Sequence, residues 1–512
     1  MKRMVVPVSG ALVGAIVTLD RRSDVGLVTQ LTQQLRALIA SGRLAAGGLL
    51  PSTRTLAADL AVSRNTISYA FEQLASEGYL KLSRGRRPAV ATQLDDCALV
   101  PDPAPRRDIV RMPGLSRWAS QLVSTDWPMS YQAPMRPLRA GQGDVREFPH
   151  AVWARCLRRN VLRRSRAHDG AINRLRLRHE LKEYLQANRG VRADADQIFI
   201  LPTAQAALSL VAAILIAPGD RVLVEDPGYP GAASAFRAAG AGIVGAMLDD
   251  QGMLYPGDAR PPKVIFTTPS HQHPTGRLMS VGRRLELISA AQRGESWIVE
   301  DDYDGELHYD GRPVPALQGL DRQARVLYVG TFSKAMTPEI RVGYLVAPAP
   351  LAQTIEIAQR HMGLIAAVDV QEALADFIAD GHFLSHIRKV RRIYRTRRDH
   401  LAGALERQLS DVLAVEIPPG GMQLVARLRD GRADSAVVER LADSGVHVRS
   451  LSSLALDGRS EHGLLLGFAA WRESEISAAV RVMAASLTVG RPIAQAPRAR
   501  SRANLGRTQA RS

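Results

Sequence analysis

The sequence predicts a multidomain chain: a small α+β unit of short helices closed by a hairpin, then a large α/β domain with a mostly parallel sheet and a smaller C-terminal α/β lobe. Three observations carry this. Residues 27–93 alternate short amphipathic runs with turn signals. Residues 94–125 are rich in proline and poor in periodicity, as a linker is. From about 126 to 488, short β-rich runs each lead into a polar or glycine-containing turn and then a helical run. The boundaries that follow are a partly disordered lead-in at 1–20, the small unit at 21–93, the linker at 94–125, the large domain at 126–488 and a basic tail at 489–512. The tail "RPIAQAPRARSRANLGRTQARS" has six arginines, no acid and no apolar periodicity, so disorder is expected there.

A chain of 512 residues suits two to four domains, and 46% apolar residues suit packed cores. Lys and Arg number 67 against 50 Asp and Glu, a net +17 that favours a polyanionic partner. Cys97 and Cys156 make no disulfide framework and no metal-ligand spacing, which fits a reducing cytoplasm. The opening "MKRMVVPVSGALVGAIVTLDRRS" looks at first like an export signal. However, Pro7, Gly10 and Gly14 interrupt its apolar run, and no small-x-small site clearly precedes Asp20. The run is also shorter than the ~20 residues a membrane span needs. The expectation is an irregular start leading into a short strand, "IVTLD", in a cytoplasmic protein without a membrane partner.

In the small unit, "LVTQLTQQLRALIASG" has helical spacing and stops at Gly42. "LPSTRTLAADLA" opens with proline and a capping serine, Ser52. After a short turn at Val62, "SRNTISYAFEQLASEG" has Ser63 as cap, an apolar stripe of Ile67, Ala70, Phe71 and Leu74, and a stop at Gly78. "YLKLSRGRRPAVAT" alternates like a hairpin with Arg84, Gly85, Arg86 and Arg87 at its tip. Helix, turn, helix and basic hairpin describe a winged helix-turn-helix. The second helix of such a unit reads the major groove by its first residues, here Ser63, Arg64, Asn65 and Thr66. Arg64 can fork onto guanine and Asn65 can pair with adenine. The Ser63 and Thr66 hydroxyls and Arg54 suit phosphates. Residues 21–93 carry ten Lys/Arg and four Asp/Glu, so the unit is basic in its own right. On composition alone, a merely solvated basic domain is as good a reading.

In the large domain, "TFSKAMTPEIRVGY" carries Lys334 beside Thr331 and Ser333, with Arg341 seven residues on. A lone lysine is usually a surface residue. Here one loop offers an amine that can join an aldehyde and a hydroxyl–guanidinium set for a phosphate. "WIVEDDYDGE" puts Asp301 past a strand, able to pair a pyridine nitrogen, and Tyr303 where a phenol can meet a ring oxygen. Alone, that acidic cluster would more often be a helix cap or a solvated strand end. "VEDPGYPG" brings Tyr229 out of a strand, placed to stack on a ring. "LPTAQAAL" opens a helix whose first N–H groups, near Thr203, Ala204 and Gln205, form an anion site. "TPSHQHPTG" adds His271 and His273; two histidines at i, i+2 with no further matched ligand do not make a metal site.

Two stretches of resemblance join these pieces. The segment from "QLTQQLRALIASG" through "LPSTRTLA", "SRNTI" and "LASEGYL" resembles the winged-helix domain of the GntR superfamily. Its wing, "SRGRRPAV", has arginines where many relatives have a second glycine. Residues 126–488 resemble a fold-type I aminotransferase domain dependent on pyridoxal 5'-phosphate (PLP), with "HQHPTG", "EDDYD" and "TFSK…R-x-GY" in that family's order. The resemblance implies that Lys334 forms the Schiff base with PLP and Asp301 pairs its ring nitrogen. It implies that Tyr303 and His273 face the ring oxygen, Tyr229 stacks and Arg341 meets the phosphate. Together the two domains resemble the MocR/GabR-type regulators, from about residue 16 to 488.

Three departures from the family pattern stand out. The phosphate turn reads Pro202-Thr203-Ala204-Gln205 where relatives commonly have Ser-Gly-Ala-Gln, so an N–H and a glycine are lost. In "GAINRLRLRHEL", Asn173 stands where relatives often have glycine, and an Asn tolerates the positive φ a glycine would take. In "EHGLLLGFAAWRESEI", Leu465 stands where aminotransferases carry the arginine that docks the substrate carboxylate; Arg449 and Arg472 are the candidates to substitute, but neither is in register with that position. The resulting expectation is a transcription regulator that binds operator DNA as a homodimer and senses PLP or an amino compound, with at most weak or half-reaction transamination. The alternative is a catalytically active aminotransferase that carries a DNA-binding domain.

Overall fold

A computed structural model describes residues 13–92, 116–122, 136–163, 172–257, 260–311, 314–456 and 462–488. The chain divides into two compact units, Met1–Gly114 and Leu115–Ser512.

The first unit is α1 (Val13–Ile16), α2 (Leu27–Ala40), α3 (Thr53–Asp59), α4 (Arg64–Ser76) and the hairpin β1 (Leu80–Lys81) and β2 (Ala89–Val90). The starts of α3 and α4 are fixed by hydroxyls: Ser52 Oγ accepts from Thr55 N, and Ser63 Oγ from Thr66 N. Such caps contribute about 1 kcal/mol each. Ile67, Ala70, Phe71 and Leu74 of α4 are buried against Leu31, Leu35 and Leu38 of α2 and Leu56 of α3, as the apolar spacing requires. Gly42 and Gly78 take positive φ just past α2 and α4. The expected strand at "IVTLD" is not formed. The chain makes one helical turn at Val13–Ile16 because Val13 and Val17 both drop into this core, and Thr18 and Asp20 are tied to Gln34 and Gln30 by side chain rather than by a neighbouring strand.

The second unit begins with α5 (Arg117–Leu122), a helix inside the stretch expected to be linker, with Trp118 Nε1 donating to Ser234 Oγ at 3.4 Å. Next come α6 (His150–Arg163), α7 (Leu175–Arg189), β3 (Ile198–Leu201), α8 (Ala204–Leu215), β4 (Arg221–Glu225), α9 (Pro230–Ala238) and β5 (Gly242–Ala246). A small hairpin, β6 (Leu248–Asp249) and β7 (Gly252–Met253), leads to β8 (Val264–Thr267), α10 (Val281–Arg293), β9 (Trp297–Asp302), α11 (Leu317–Leu320), β10 (Val326–Thr331), α12 (Phe332–Ala335) and β11 (Gly343–Val346). The main sheet has the order β3-β11-β10-β9-β8-β4-β5. Only β11 runs against its neighbours β3 and β10. Strands β3, β8, β10 and β11 are fully buried, mainly apolar runs, as a sheet covered on both faces demands, while the edge strand β5 is partly exposed.

The smaller lobe follows α13 (Ala352–His361) and α14 (Val368–Ala379). It comprises α15 (His382–Leu409), β12 (Leu413–Glu416), β13 (Gln423–Leu428), α16 (Asp434–Asp443), β14 (Arg449–Ser450), β15 (Gly463–Gly467) and α17 (Glu473–Thr488). Its sheet is antiparallel, β12-β13-β15-β14. The basic helix α15 buries Arg397 and Arg398 instead of solvating them: Arg397 holds Asp144 and the Ala469 carbonyl, and Arg398 holds Asp310 and the Pro418 carbonyl. Asn173, expected to sit at positive φ, does not. Its buried side chain accepts from Ile200 N at 2.8 Å and donates to Gln359 Oε1 at 2.9 Å, joining β3 to α13. The basic tail from 489 lies outside the described residues.

Candidate functional site

The parallel strands end at one edge of the main sheet, and the loops that leave them carry the candidate side chains, the usual site of an open α/β sheet. β3 leads to Thr203, β4 to Tyr229, β8 to His273, β9 to Asp301 and Tyr303, and β10 to Lys334. β11, running the other way, begins at that same edge just after Arg341.

Asp301 is buried at the end of β9, and its Oδ1 has no hydrogen-bond partner. Burial, with repulsion from Asp302, Asp304 and Glu225, pushes its carboxyl up to about 8; Lys334 pulls the other way. An orphaned acid of this kind suits a ring N–H. Lys334 is half-buried, and its Nζ donates to the Gly141 carbonyl at 2.6 Å. Burial holds the amine below its ordinary value, against the attraction of Asp304 and Asp301. His273 lies edge-on to Tyr229 at 5.6 Å and to Tyr303 at 6.1 Å. Burial, then the charges of Arg449 and Lys334, bring it down to about 3, and its Nδ1 has no partner.

The acids beside Asp301 have structural work. Asp302 is buried; Arg189 at 2.7 Å and the Tyr328 hydroxyl at 2.6 Å outweigh that burial and keep it below the usual carboxylate range. Asp304 takes His271 Nδ1 at 2.9 Å. Glu225, under the Tyr229 loop, accepts from both Thr267 and Thr268 hydroxyls and from Gln272.

The candidate anion cradle is the first turn of α8. A Cβ built on Gly343 would stand 2.7 Å from Ala204 N, so only glycine lets β11 approach that turn. Thr203 Oγ1 accepts from the Ala206 N–H, so its O–H and the backbone N–H groups of the first turn are the donors there. The Gln205 side chain turns aside to the Gly231 carbonyl and the Tyr229 hydroxyl, bracing the stacking loop. Thr331 is likewise a cap: its Oγ1 accepts from Ser333 N. Ser333 is half-buried, and Arg341 is exposed in the left-handed region at φ +47°. An orphaned acid, a half-buried amine, a ring slot and a helix terminus together match the donor set of a phosphorylated pyridine aldehyde.

Sequence reasoning missed the segment Leu138–Asp144. It brings the Gly141 carbonyl to Lys334 and a buried, unpartnered Gln142 Oε1, and it is fixed by Asp144 against Arg146, Arg397 and Tyr394. Its only sequence signal is the short run of glycines in "AGQGD". Arg472 is exposed beyond β15, as its register suggested. Arg449 is different: β14 sets it directly opposite Leu465, a cross-strand match the linear register hid.

In the first unit, Arg54, Ser63, Arg64, Asn65, Arg84, Gly85 and Arg86 are exposed and Thr66 is half-buried. The Ser63 and Thr66 hydroxyls bond each other at 2.8 Å within the cap. Arg87 Nε donates to the Leu50 carbonyl at 3.0 Å and so braces the hairpin. Tyr69, one turn after Asn65, is a further exposed side chain on α4 that the sequence reading passed over.

Residues 27–90 match the family described as bacterial regulatory proteins, gntR family, and residues 141–482 match aminotransferase class I and II. The probable rhizopine catabolism regulatory protein MocR of Rhizobium meliloti is 37% identical over 89% of this chain and 92% of its own length. The HTH-type pyridoxine biosynthesis transcriptional regulator PdxR of Corynebacterium glutamicum is 30% identical over 91% and 98%. Kynurenine aminotransferase of Pyrococcus horikoshii, solved in complex with PMP, superposes with a TM-score of 0.65 at 26% identity, covering 74% of this chain and 96% of that one. With both domains matched in this order and relatives aligned over nine-tenths of its length, the chain belongs to the MocR-type regulators of the GntR family, DNA-binding transcription regulators whose second domain has the aminotransferase fold.

Proposed function

We propose that this regulator holds PLP at Lys334 and changes its grip on operator DNA when the pocket's occupancy changes. The observation that carries the reading is the buried, unpartnered Asp301 Oδ1 in the same pocket as the Lys334 amine. When bound, PLP supplies an aldehyde that condenses with amines and a pyridine ring that withdraws electrons.

The chain's own residues do the rest. Asp301 shares a proton with the ring nitrogen, and Lys334 holds the aldehyde end through Nζ. Tyr303 and His273 face the ring oxygen, and His273, kept neutral by burial, does so without adding charge. Tyr229 covers a ring face. The N–H groups at Thr203, Ala204 and Gln205, with Ser333 and Arg341, hold the phosphate; Thr331 keeps that loop capped. In the first unit Arg64 and Asn65 read bases, while Arg54, Ser63, Thr66, Arg84, Gly85 and Arg86 contact the backbone.

A ligand shifts DNA affinity only as far as it prefers one arrangement of the protein over another. The reading further holds that the regulator is a cytoplasmic homodimer that uses two winged helices on a repeated site. Leu465, buried among Val425, Leu451 and Leu454, gives β15 no charge for a substrate carboxylate and favours sensing over turnover. The test is binding of wild type and Lys334→Ala to operator DNA, with and without PLP. A PLP-dependent shift in wild type that is absent in the variant is expected. An identical PLP response in both would overturn the reading.

A further inference from the structure

The small-lobe strands β13, β15 and β14 set Val425 opposite Leu465 and Leu465 opposite Arg449. Directly opposed residues of an antiparallel pair share a face, with Cβ atoms ~4.5–5.5 Å apart. Gln423, two residues before Val425, belongs to that face as well. This is the face turned to Lys334. A Cβ built on Gly141 would stand 3.9 Å from Gln423 Oε1 and 3.8 Å from Lys334 Nζ. The segment bearing Gly141 is laid along β15, where Gly467 N donates to the Leu138 carbonyl at 2.8 Å. The alternate residues Leu424, Leu464 and Leu466 point the other way, into the main core.

The loop after β14 closes the opposite side of the pocket. Gly228 N donates to the Leu454 carbonyl at 3.2 Å, and Leu456 N to Asp226 Oδ1 at 2.9 Å, so this loop is tied to the one that carries Tyr229. Arg449 therefore stands between the Lys334 side and the Tyr229 side, one strand along from Leu465. Its nearness is felt at His273: after burial, Arg449 is the largest influence lowering that imidazole.

We propose that Arg449 docks the carboxylate of an amino-acid effector whose amino group meets the Lys334 end of the pocket. The guanidinium lost at position 465 is thus supplied from the neighbouring strand. A planar fork matches a carboxylate bidentately, and a carboxyl-less amine gives it nothing to bind. The effector class is then amino carboxylic acids, not simple amines. This rests on the pocket being a PLP site.

The experiment uses full-length protein loaded with PLP. The twenty L-amino acids, a series of ω-amino acids and the matching carboxyl-less amines are titrated in, following the bound cofactor's absorption and protein fluorescence. At least one carboxylate should respond, with its amine binding roughly 10- to 100-fold more weakly. Arg449→Gln should erase that preference, and Arg449→Lys should keep part of it, since it retains charge without the fork. Several results overturn the proposal: equal binding of acid and amine by wild type, an unchanged preference in Arg449→Gln, or silence of every carboxylate in protein that retains PLP. Loss of PLP together with the response in Arg449→Gln also overturns it, because Arg449 would then serve the cofactor or the framework. Failure of wild type itself to retain PLP refutes the underlying cofactor reading, and this proposal with it.

Discussion

The Lys334 amine donates to the carbonyl of Gly141, 193 positions earlier in the chain, at 2.6 Å. That contact couples the anchor to a segment pinned by Asp144, which meets Arg397 at 3.0 Å in the small lobe. With burial holding the amine below its ordinary value, a larger fraction is neutral and nucleophilic at a given pH. Lys334→Ala should therefore leave gel filtration without retained PLP absorption, while its far-ultraviolet circular dichroism matches wild type. A variant as strongly coloured as wild type would remove Lys334 from the role of anchor.

Burial of Asp301 makes the ligand-free fold pH-sensitive. Its carboxyl is pushed up to about 8 in the ligand-free fold, whereas an unfolded aspartate titrates near ~3.9. Between those values the folded chain keeps a proton that the unfolded chain has released, so ligand-free stability falls as pH rises from about 4 to about 8. Asp301→Asn has no proton to lose. The ligand-free variant should melt roughly 2–6 °C above wild type at pH 8, with the gap closing toward pH 4. It should also bind PLP at least roughly tenfold more weakly. Equal melting at pH 8 would mean the carboxyl is already ionised without strain.

Arg64 opens α4 from an exposed position, behind a cap made by Ser63. Arg64→Ala should weaken binding to DNA selected by the wild-type protein by about 1–3 kcal/mol and relax base preference at one position. PLP retention should stay at the wild-type level, since Arg64 belongs to the other compact unit. Unchanged affinity for the selected DNA would show that α4 is not the reading helix.

Much of the layout was legible because it is local. The caps at Ser52 and Ser63, the buried stripe of α4 and the strand-to-loop transitions that carry Lys334, Asp301 and Tyr229 all follow from adjacent residues. What escaped depends on residues far apart in sequence. The match of Arg449 to Leu465 exists only once β14 and β15 pair, and Gly141 reaches Lys334 only once the small lobe folds over the sheet edge. The hydroxyls of Thr203 and Thr331 also carry a second role, each accepting the N–H of the helix start that it caps.

Asn173 tests one of those corrections. It was expected to replace a glycine through its backbone, yet it works through its side chain, bridging Ile200 N and Gln359. Asn173→Gly should leave a buried N–H and a buried amide short of partners and cost about 1–3 kcal/mol in denaturant unfolding of the large domain. A neutral or stabilised Asn173→Gly would show that the backbone there prefers glycine after all.

Gly343 controls the approach of β11 to the first turn of α8 by space alone, for its φ is not in the left-handed region. An added Cβ would lie 2.7 Å from Ala204 N and 2.7 Å from the Thr203 carbonyl carbon. Gly343→Ala must push the first turn of α8 away from β11, which displaces the N–H groups proposed to hold the phosphate. Overpacking of this kind costs about 1–3 kcal/mol of stability, and the misplaced donors should lower PLP affinity roughly 10- to 100-fold. Pyridoxal without its phosphate is the control ligand, because it does not use that turn. Its affinity should change little in Gly343→Ala. Equal losses for PLP and pyridoxal would mean that the α8 terminus does not hold the phosphate and that the substitution acts through the ring slot or the fold as a whole.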